Sequence, residues 1–320
     1  MRTGEWQGIR VLVTGARGFI ATHLCRRLLE AGVIVHGVSR VPGRIDSPRM
    51  HFLNADLTRP AEVREIVRRI RPHAIFHLAG HVTGSQQLSA VQPAFEANLA
   101  TTVHLLTASA EEPACRVILA GSMQEPDEDA GVGIPSSPYA ASKWACSAYA
   151  RMFHALYQLP VVIARPMLVY GPEQWDHSKL LPSVIVSLLN GVPPRLSTGT
   201  RELDWVFVDD VVSGLMAIAT SPCVEGRTID LGTGELTSIR RVAESVKTII
   251  GSDTELLFGA LPDRPFEGRR VARVAETERL IGWTATTSLR EGLARTIAWF
   301  RETMAQPGSA AAADATSRNR

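Results

Sequence analysis

The stretch Arg10-Val11-Leu12-Val13-Thr14-Gly15-Ala16-Arg17-Gly18-Phe19-Ile20-Ala21 decides the fold. Val11, Leu12 and Val13 form an apolar run suited to a parallel strand covered on both faces. Gly15 and Gly18 then allow a tight turn and close backbone approach to an anion, held at the N-terminus of a helix opening near Phe19. The spacing is Gly-x-x-Gly-x-x-Ala, a variant of the dinucleotide-binding Gly-x-Gly-x-x-Gly. Glycine between a strand and a helix can be purely structural. Its place at the head of an alternating strand and helix pattern reads it as a pyrophosphate cradle.

Working outward, the helix from Phe19 to Glu30 ends at Gly32, and Val33-Ile34-Val35-His36-Gly37-Val38 makes a second strand that finishes on Ser39-Arg40. A cofactor with a free ribose diol usually meets a carboxylate at that strand end, whereas a 2′-phosphate is repelled by one and held by a cation. Ser39, Arg40 and Arg17 therefore favour NADP(H) and leave NAD(H) open. After the third strand, His51-Phe52-Leu53, Asp56 is placed to accept from an adenine amine; Asp56 or Thr58 could equally cap the helix from Ala61 to Arg69. The fourth strand, Ala74 to Ala79, ends at Gly80. His77 within it reads as structural, and His81 beyond it faces the crevice at the strand ends.

A helix from Pro93 to Ser109 carries Asn98, and the fifth strand, Arg116 to Ala120, ends in Gly121-Ser122. The acidic segment Glu125 to Gly133 reads as a surface excursion. The helix after Pro138 places Tyr139 and Lys143 four residues apart on one face. An ammonium one turn from a phenol suits Tyr139 for proton exchange with a substrate oxygen. The sixth strand, Val161 to Arg165, reaches Pro166 and then Tyr170-Gly171-Pro172, read as a turn leaving the sheet. Beyond it the regular beat is lost: a helix over Leu180–Leu189, an aromatic strand Trp205–Val208, helices over Val211–Thr220 and Ile239–Ile250, and two last helices over 276–281 and 288–302.

Composition narrows the classes. Across 320 residues, 34 Lys and Arg stand against 32 Asp and Glu, so there is no general field for nucleic acid or an anionic membrane. Four scattered cysteines, Cys25, Cys115, Cys146 and Cys223, give no metal framework and fit reduced thiols. With no apolar run long enough to span a bilayer and a strand beginning almost at once, a cytoplasmic protein is expected.

With these residues in place, the chain resembles the extended short-chain dehydrogenase/reductase family, in its nucleotide-sugar epimerase, dehydratase and ketoreductase branch. The resemblance runs from Ile9 to about Phe300 and rests on the glycine turn, Tyr139/Lys143, Tyr170-Gly171-Pro172 and Trp205 with Asp209-Asp210. It implies an α/β fold: a Rossmann-like doubly wound parallel sheet with a smaller C-terminal substrate-binding lobe. Residues 1–171, with returning segments about 203–232, would be the NAD(P)-binding domain. Residues 172–202 and 233–304 would form most of the lobe, and 305–320 a disordered tail.

The resemblance also implies roles. Cofactor would meet Gly15, Arg17, Gly18, Phe19 and Ile20 at the turn, Ser39, Arg40, Asp56 and Leu57 at the adenosine end. At the nicotinamide end it would meet Leu78, Ala79, Gly80, Asn98, Tyr139, Lys143 and Pro166. Tyr139, Lys143 and Ser122 would be catalytic. A nucleotide-diphosphate sugar would meet His81, Gln124, Lys179, Leu180, Arg201 and Arg270, and two copies would pair through the helices holding Asn98 and Tyr139.

Departures sharpen the expectation. Where the family commonly has Ser or Thr after Ser122 stands Met123, whose thioether cannot donate; Ser122 substitutes, or Tyr139 acts with less help. The Asp-Glu pair of dehydratases is Gln124-Glu125, and an amide is no general acid. Leu168 replaces a common Asn, Ala21 the last glycine of the turn, and Leu203 an Arg, so that Arg201 reaches in from another register or that contact is absent. These features point to NADPH-dependent reduction of a nucleotide-bound 4-keto-6-deoxysugar, with an NAD(P)-dependent epimerase as the alternative. A binding-only sensor, or a reductase of small non-sugar carbonyls, would leave Tyr139 or the arginines without a task.

Overall fold

The computed structural model describes residues 6–41, 43, 45–112, 115–126 and 133–305. Its frame is a seven-stranded sheet in the order β3-β2-β1-β4-β5-β6-β9. The strands are β1 (Arg10–Thr14), β2 (Ile34–Ser39), β3 (Met50–Asn54), β4 (Ala74–His77), β5 (Arg116–Ala120), β6 (Val161–Pro166) and β9 (Thr228–Leu231). All neighbours pair parallel. The central strands are apolar because both faces are covered. One hydrophobic cluster gathers Leu12, Ile75, Val117 and Leu119 under α2 (Pro60–Ile70), α4 (Thr101–Ala110) and α5 (Pro138–Tyr157). The other gathers Val11, Val13, Phe76 and Ile118 under α1 (Phe19–Glu30) and α7 (Val208–Thr220), and runs on into a smaller sheet.

That smaller sheet has the order β10-β8-β7, from β7 (Leu168–Tyr170), β8 (Glu202–Phe207) and β10 (Leu236–Ser238). It is flanked by α6 (Leu180–Leu189), α8 (Ile239–Ile250) and α10 (Leu289–Ala305), while α9 (Val274–Ile281) lies against β9. Segment 203–207 thus pairs in the small sheet and 228–231 in the large one.

Several readings are corrected. Tyr170 ends a strand instead of sitting in a turn, because Leu168, Val169 and Tyr170 pair with Trp205, Val206 and Phe207. Val208 opens α7 and is not the last strand residue. The helix read over Pro93–Ser109 is interrupted. A short helix α3 (Val91–Ala94) leads into a π-helical turn over Phe95–Ala100, and α4 follows. Residues 306–320 lie outside the described residues, whereas Ala305, read as tail, closes α10. Among the described residues no helix is long and apolar enough to cross a membrane. Cys25, Cys115 and Cys146 are buried thiols and Cys223 an exposed one.

Candidate active site

The parallel sheet changes winding direction between β1 and β4, and their C-terminal ends open a crevice. Gly15 lies in the left-handed region, φ 66°, and a Cβ there would sit 2.8 Å from the Cα of Ala79, so the turn after β1 touches the loop after β4 only because residue 15 is glycine. Thr14 Oγ1 accepts the Ala79 N–H at 3.2 Å and lies 2.7 Å from His77 Nδ1, whose Nε2 is 3.2 Å from Thr102 Oγ1. His77 is fully buried, and burial, helped by the charge of Lys143, pushes its imidazole down to about 3. A neutral histidine therefore ties the two loops together, in keeping with its structural reading.

The first turn of α1 fits a dinucleotide pyrophosphate. Gly18 is its N-cap without a side-chain hydrogen bond, and the turn contains no acidic residue. Its N–H groups and dipole are thus left to an anion from outside. Arg17 and Arg40 are exposed at this end of the sheet, Phe19, Ile20, Leu78 and Ala79 are half-buried, and Leu57 is buried. The Ser39 hydroxyl donates to Val41 O at 2.5 Å. Asp56 corrects the capping expectation: α2 has Arg59 as N-cap. The carboxylate accepts instead from the Thr58 N–H at 3.0 Å and its hydroxyl at 2.8 Å. These bonds, then the charges of Arg59 and Arg40, hold Asp56 below the usual carboxylate range.

At the other end, Asn98 projects from the π-helical turn, a local widening often found at functional sites. Its Oδ1 accepts the His81 N–H at 2.7 Å, and its Nδ2 donates to His81 O at 3.2 Å and Ser142 Oγ at 2.8 Å. Ser142 in turn donates to Tyr139 O at 2.8 Å. The loop after β4 is thereby fixed against α5, which Ser137 caps by accepting the Ala140 N–H at 3.1 Å. Tyr139 and Lys143 are buried one turn apart, and Lys143 Nζ donates to Ala120 O at 2.9 Å, beside Gly121-Ser122. Ser122, Tyr139 and Lys143 are thus brought to one place by β5 and α5. Pro166 sits half-buried at the end of β6, beside Leu231 of β9.

The substrate candidates divide. A strap from Gly259 to Arg273 crosses the crevice and is stapled to the catalytic side: Gln86 Nε2 donates to Ser136 O and Pro265 O, and Arg270 to Pro126 O at 3.3 Å. Arg201 pairs with Glu267 of the strap and donates to Gly268 O, leaving its buried Nε without a partner. Lys179, the N-cap residue of α6 just before Leu180, donates to Val82 O at 2.8 Å. Lys179 thus links the lobe to the β4 loop. Gln124 is half-buried beside Ser122, its N–H donating to Ser122 Oγ at 3.2 Å.

Glu125 overturns the surface-loop reading: only 6% of it is exposed, against the ends of β5 and β6. Residues 127–132 of that segment lie outside the described residues. Two further carboxylates, Asp204 of the Asp204-Trp205 pair and Asp230, are buried here. Asp204 accepts from Thr233 N, Thr233 Oγ1, Gly234 N and Ala272 N, and Asp230 from Arg165 Nε and Arg273 N. Both hold the root of the strap. Asp204 stands next to Trp205 in an alternating strand, where a fully buried carboxylate leaves no periodic signal.

A parallel sheet with a glycine cradle at its switch point and a Tyr/Lys pair at its C-terminal edge defines a dinucleotide-dependent oxidoreductase class. The chain belongs to the NAD dependent epimerase/dehydratase family, which it matches over residues 11–232. It is 33% identical to a UDP-glucose 4-epimerase of Mycolicibacterium smegmatis, covering 92% of this chain and 99% of that protein. It is 27% identical to a dTDP-glucose 4,6-dehydratase of Neisseria gonorrhoeae, over 91% and 95%. The structure of the Bordetella bronchiseptica enzyme WbmF in complex with NAD+ and UDP is 30% identical, covers 94% of each chain and superposes with a TM-score of 0.79. The chain is accordingly an extended short-chain dehydrogenase/reductase, an enzyme of the nucleotide-sugar epimerase and dehydratase group.

Proposed function

We propose that the chain reduces the keto group of a nucleotide-diphosphate 4-keto-6-deoxysugar with NADPH. The observation that carries this reading is the end of β2, where Ser39 and Arg40 stand in place of a carboxylate and the charge of Arg40 reaches Asp56. A cation there suits a 2′-phosphate, and an exchangeable NADPH suits net reduction. Absence of an acid at Gln124, with Glu125 turned into the protein, argues against elimination of water. One bound NADPH would supply a hydride to the carbonyl carbon. Tyr139 donates its hydroxyl proton to the carbonyl oxygen, Lys143 holds the ribose and its charge beside the phenol, and Ser122 donates a hydrogen bond to that oxygen in the place Met123 cannot serve.

His81 and Gln124 would orient the sugar. Lys179 beside Leu180, Arg201 and Arg270 would meet the diphosphate, Arg201 with the help of its unused Nε, since guanidinium forks match phosphate oxygens. Exposed Val91 and Phe95 on the Asn98 segment and Tyr149 on α5 support a homodimer through these helices. An epimerase that keeps its nicotinamide through oxidation and re-reduction is favoured by one observation, the identity to the mycobacterial UDP-glucose 4-epimerase. Absorbance at 340 nm decides between them. With dTDP-4-keto-6-deoxyglucose, the reductase consumes NADPH and Tyr139→Phe does not; an unchanged absorbance with an isomerised nucleotide sugar in the NMR spectrum overturns the reading.

A further inference from the structure

Among the described residues, Glu125 is the buried carboxyl next to the catalytic loop, and the chemistry above gives it no task. Its Oε1 accepts the Ser122 N–H at 2.6 Å, and its own N–H donates to Ser122 O at 3.1 Å, so the side chain closes a turn around Ser122. The Gln124 N–H donates to Ser122 Oγ at 3.2 Å, which leaves the hydroxyl proton to be donated outward. Gly121 makes room for the carboxyl: a Cβ there would lie 2.8 Å from Glu125 Oε1 and 3.0 Å from Ile163 Cγ2. The carboxyl is therefore packed beneath the loop, between β5 and β6, rather than presented to a sugar.

Charged and polar groups reach it from every element packed there. Lys143, Cys146 and Ser147 face it from α5, Arg165 from β6, and Ser122 from its own loop. Arg165 is itself tied to Asp230 at 2.7 Å, so Lys143 is the cation not already matched by a carboxylate contact. Burial pushes the Glu125 carboxyl up, while the Ser122 N–H bond and the charges of Arg165 and Lys143 pull the other way. Its ionised form is the one that both clamps Ser122 and answers the charge of Lys143.

We propose that Glu125 is a positioning residue for proton transfer: its carboxylate clamps the Ser122 backbone so that the hydroxyl replaces the donor missing at Met123, and balances Lys143 beside Tyr139. The inference rests on the reductase reading for its kinetic part, and its structural part stands without it. Protonation of Glu125 weakens both effects, so turnover falls on the acidic side as the carboxyl titrates, above the ordinary glutamate value.

Glu125→Gln keeps an acceptor for the Ser122 N–H and removes the charge, whereas Glu125→Ala removes both. In hydrogen exchange on the full chain, the Ser122 amide stays protected in the Gln variant and exchanges at least tenfold faster in the Ala variant. Carbon-13 NMR of glutamate-labelled protein, with the Gln variant assigning the signal, shows Glu125 titrating above the ordinary glutamate value. In turnover with NADPH, kcat falls about tenfold in the Gln variant and further in the Ala variant, KM for NADPH stays within twofold, and the acid limb is lost. A Ser122 amide equally protected in both variants, a Glu125 signal titrating with the surface carboxyls, or an acid limb retained by the Gln variant overturns the proposal. Failure of the wild type to turn over any keto sugar, with the exchange and NMR results as stated, sinks the reductase reading and leaves the clamp.

Discussion

The two sides of the crevice are built on opposite principles. On the cofactor side, from β1 to β4, contacts are made by backbone and neutral groups: Gly15 against Ala79, Thr14 to His77, and Asn98 to both atoms of the His81 backbone. On the strap side, charge is everywhere: Arg201 on Glu267, Arg165 and Arg273 on Asp230, and four donors on Asp204. Under the proposed function the difference suits two ligands: fixed geometry for a dinucleotide of constant shape, and arginines held by buried carboxylates for a phosphate-bearing sugar.

Removing an anchor is the harshest way to break that comparison. Asp204→Ala removes from a fully buried position the acceptor shared by the Thr233, Gly234 and Ala272 N–H groups, and is expected to cost about 3–5 kcal/mol. Urea unfolding measures it; a loss below about 1 kcal/mol would show that the strap is not held this way.

The cofactor side should respond instead to protonation. Unfolded His77 takes up a proton near pH 6.5, whereas the folded imidazole resists until about pH 3. The folded pKa is depressed, so its contribution is complete above pH 6.5 and is lost as pH falls toward 3. The slope approaches about 1.4 kcal/mol per pH unit. His77→Gln lacks this linkage, so the stability gap between wild type and variant should narrow by about 1.4 kcal/mol between pH 7.5 and 5.5. A gap independent of pH would mean that the imidazole is not kept neutral by burial.

Residues at the adenosine end should give the smallest effect. Ser39→Asp places a carboxylate against a 2′-phosphate, and should weaken NADPH about tenfold while leaving or improving NADH binding, as read by nicotinamide fluorescence titration. Equal affinities for the two cofactors in wild type and variant would remove the basis for the NADP(H) preference.

The same contrast explains what could be read in advance. α1, α6 and α8 fall where their apolar spacing and flanking residues put them, with Gly251 closing α8 in the left-handed region. The glycine turn and the Tyr139/Lys143 pair are local, and so is their meaning. The π-helical turn at Asn98 follows from nothing in its own sequence; its bonds to residues 81 and 142 are tertiary. Glu125 looked exposed because Asp and Glu follow it, yet Gly121, four residues earlier, opens the space that buries it. Asp204 and Asp230 act on residues 29 to 68 positions away, beyond the reach of any periodic pattern.

The central claim is net reduction with Tyr139 as proton donor, and NADPH deuterated at nicotinamide C4 tests it most directly. With dTDP-4-keto-6-deoxyglucose, the account predicts one NADP+ per product and deuterium at C4 of the reduced sugar, both falling at least a hundredfold in Tyr139→Phe. A nucleotide sugar isomerised without formation of NADP+, or reduction undiminished in Tyr139→Phe, would contradict it.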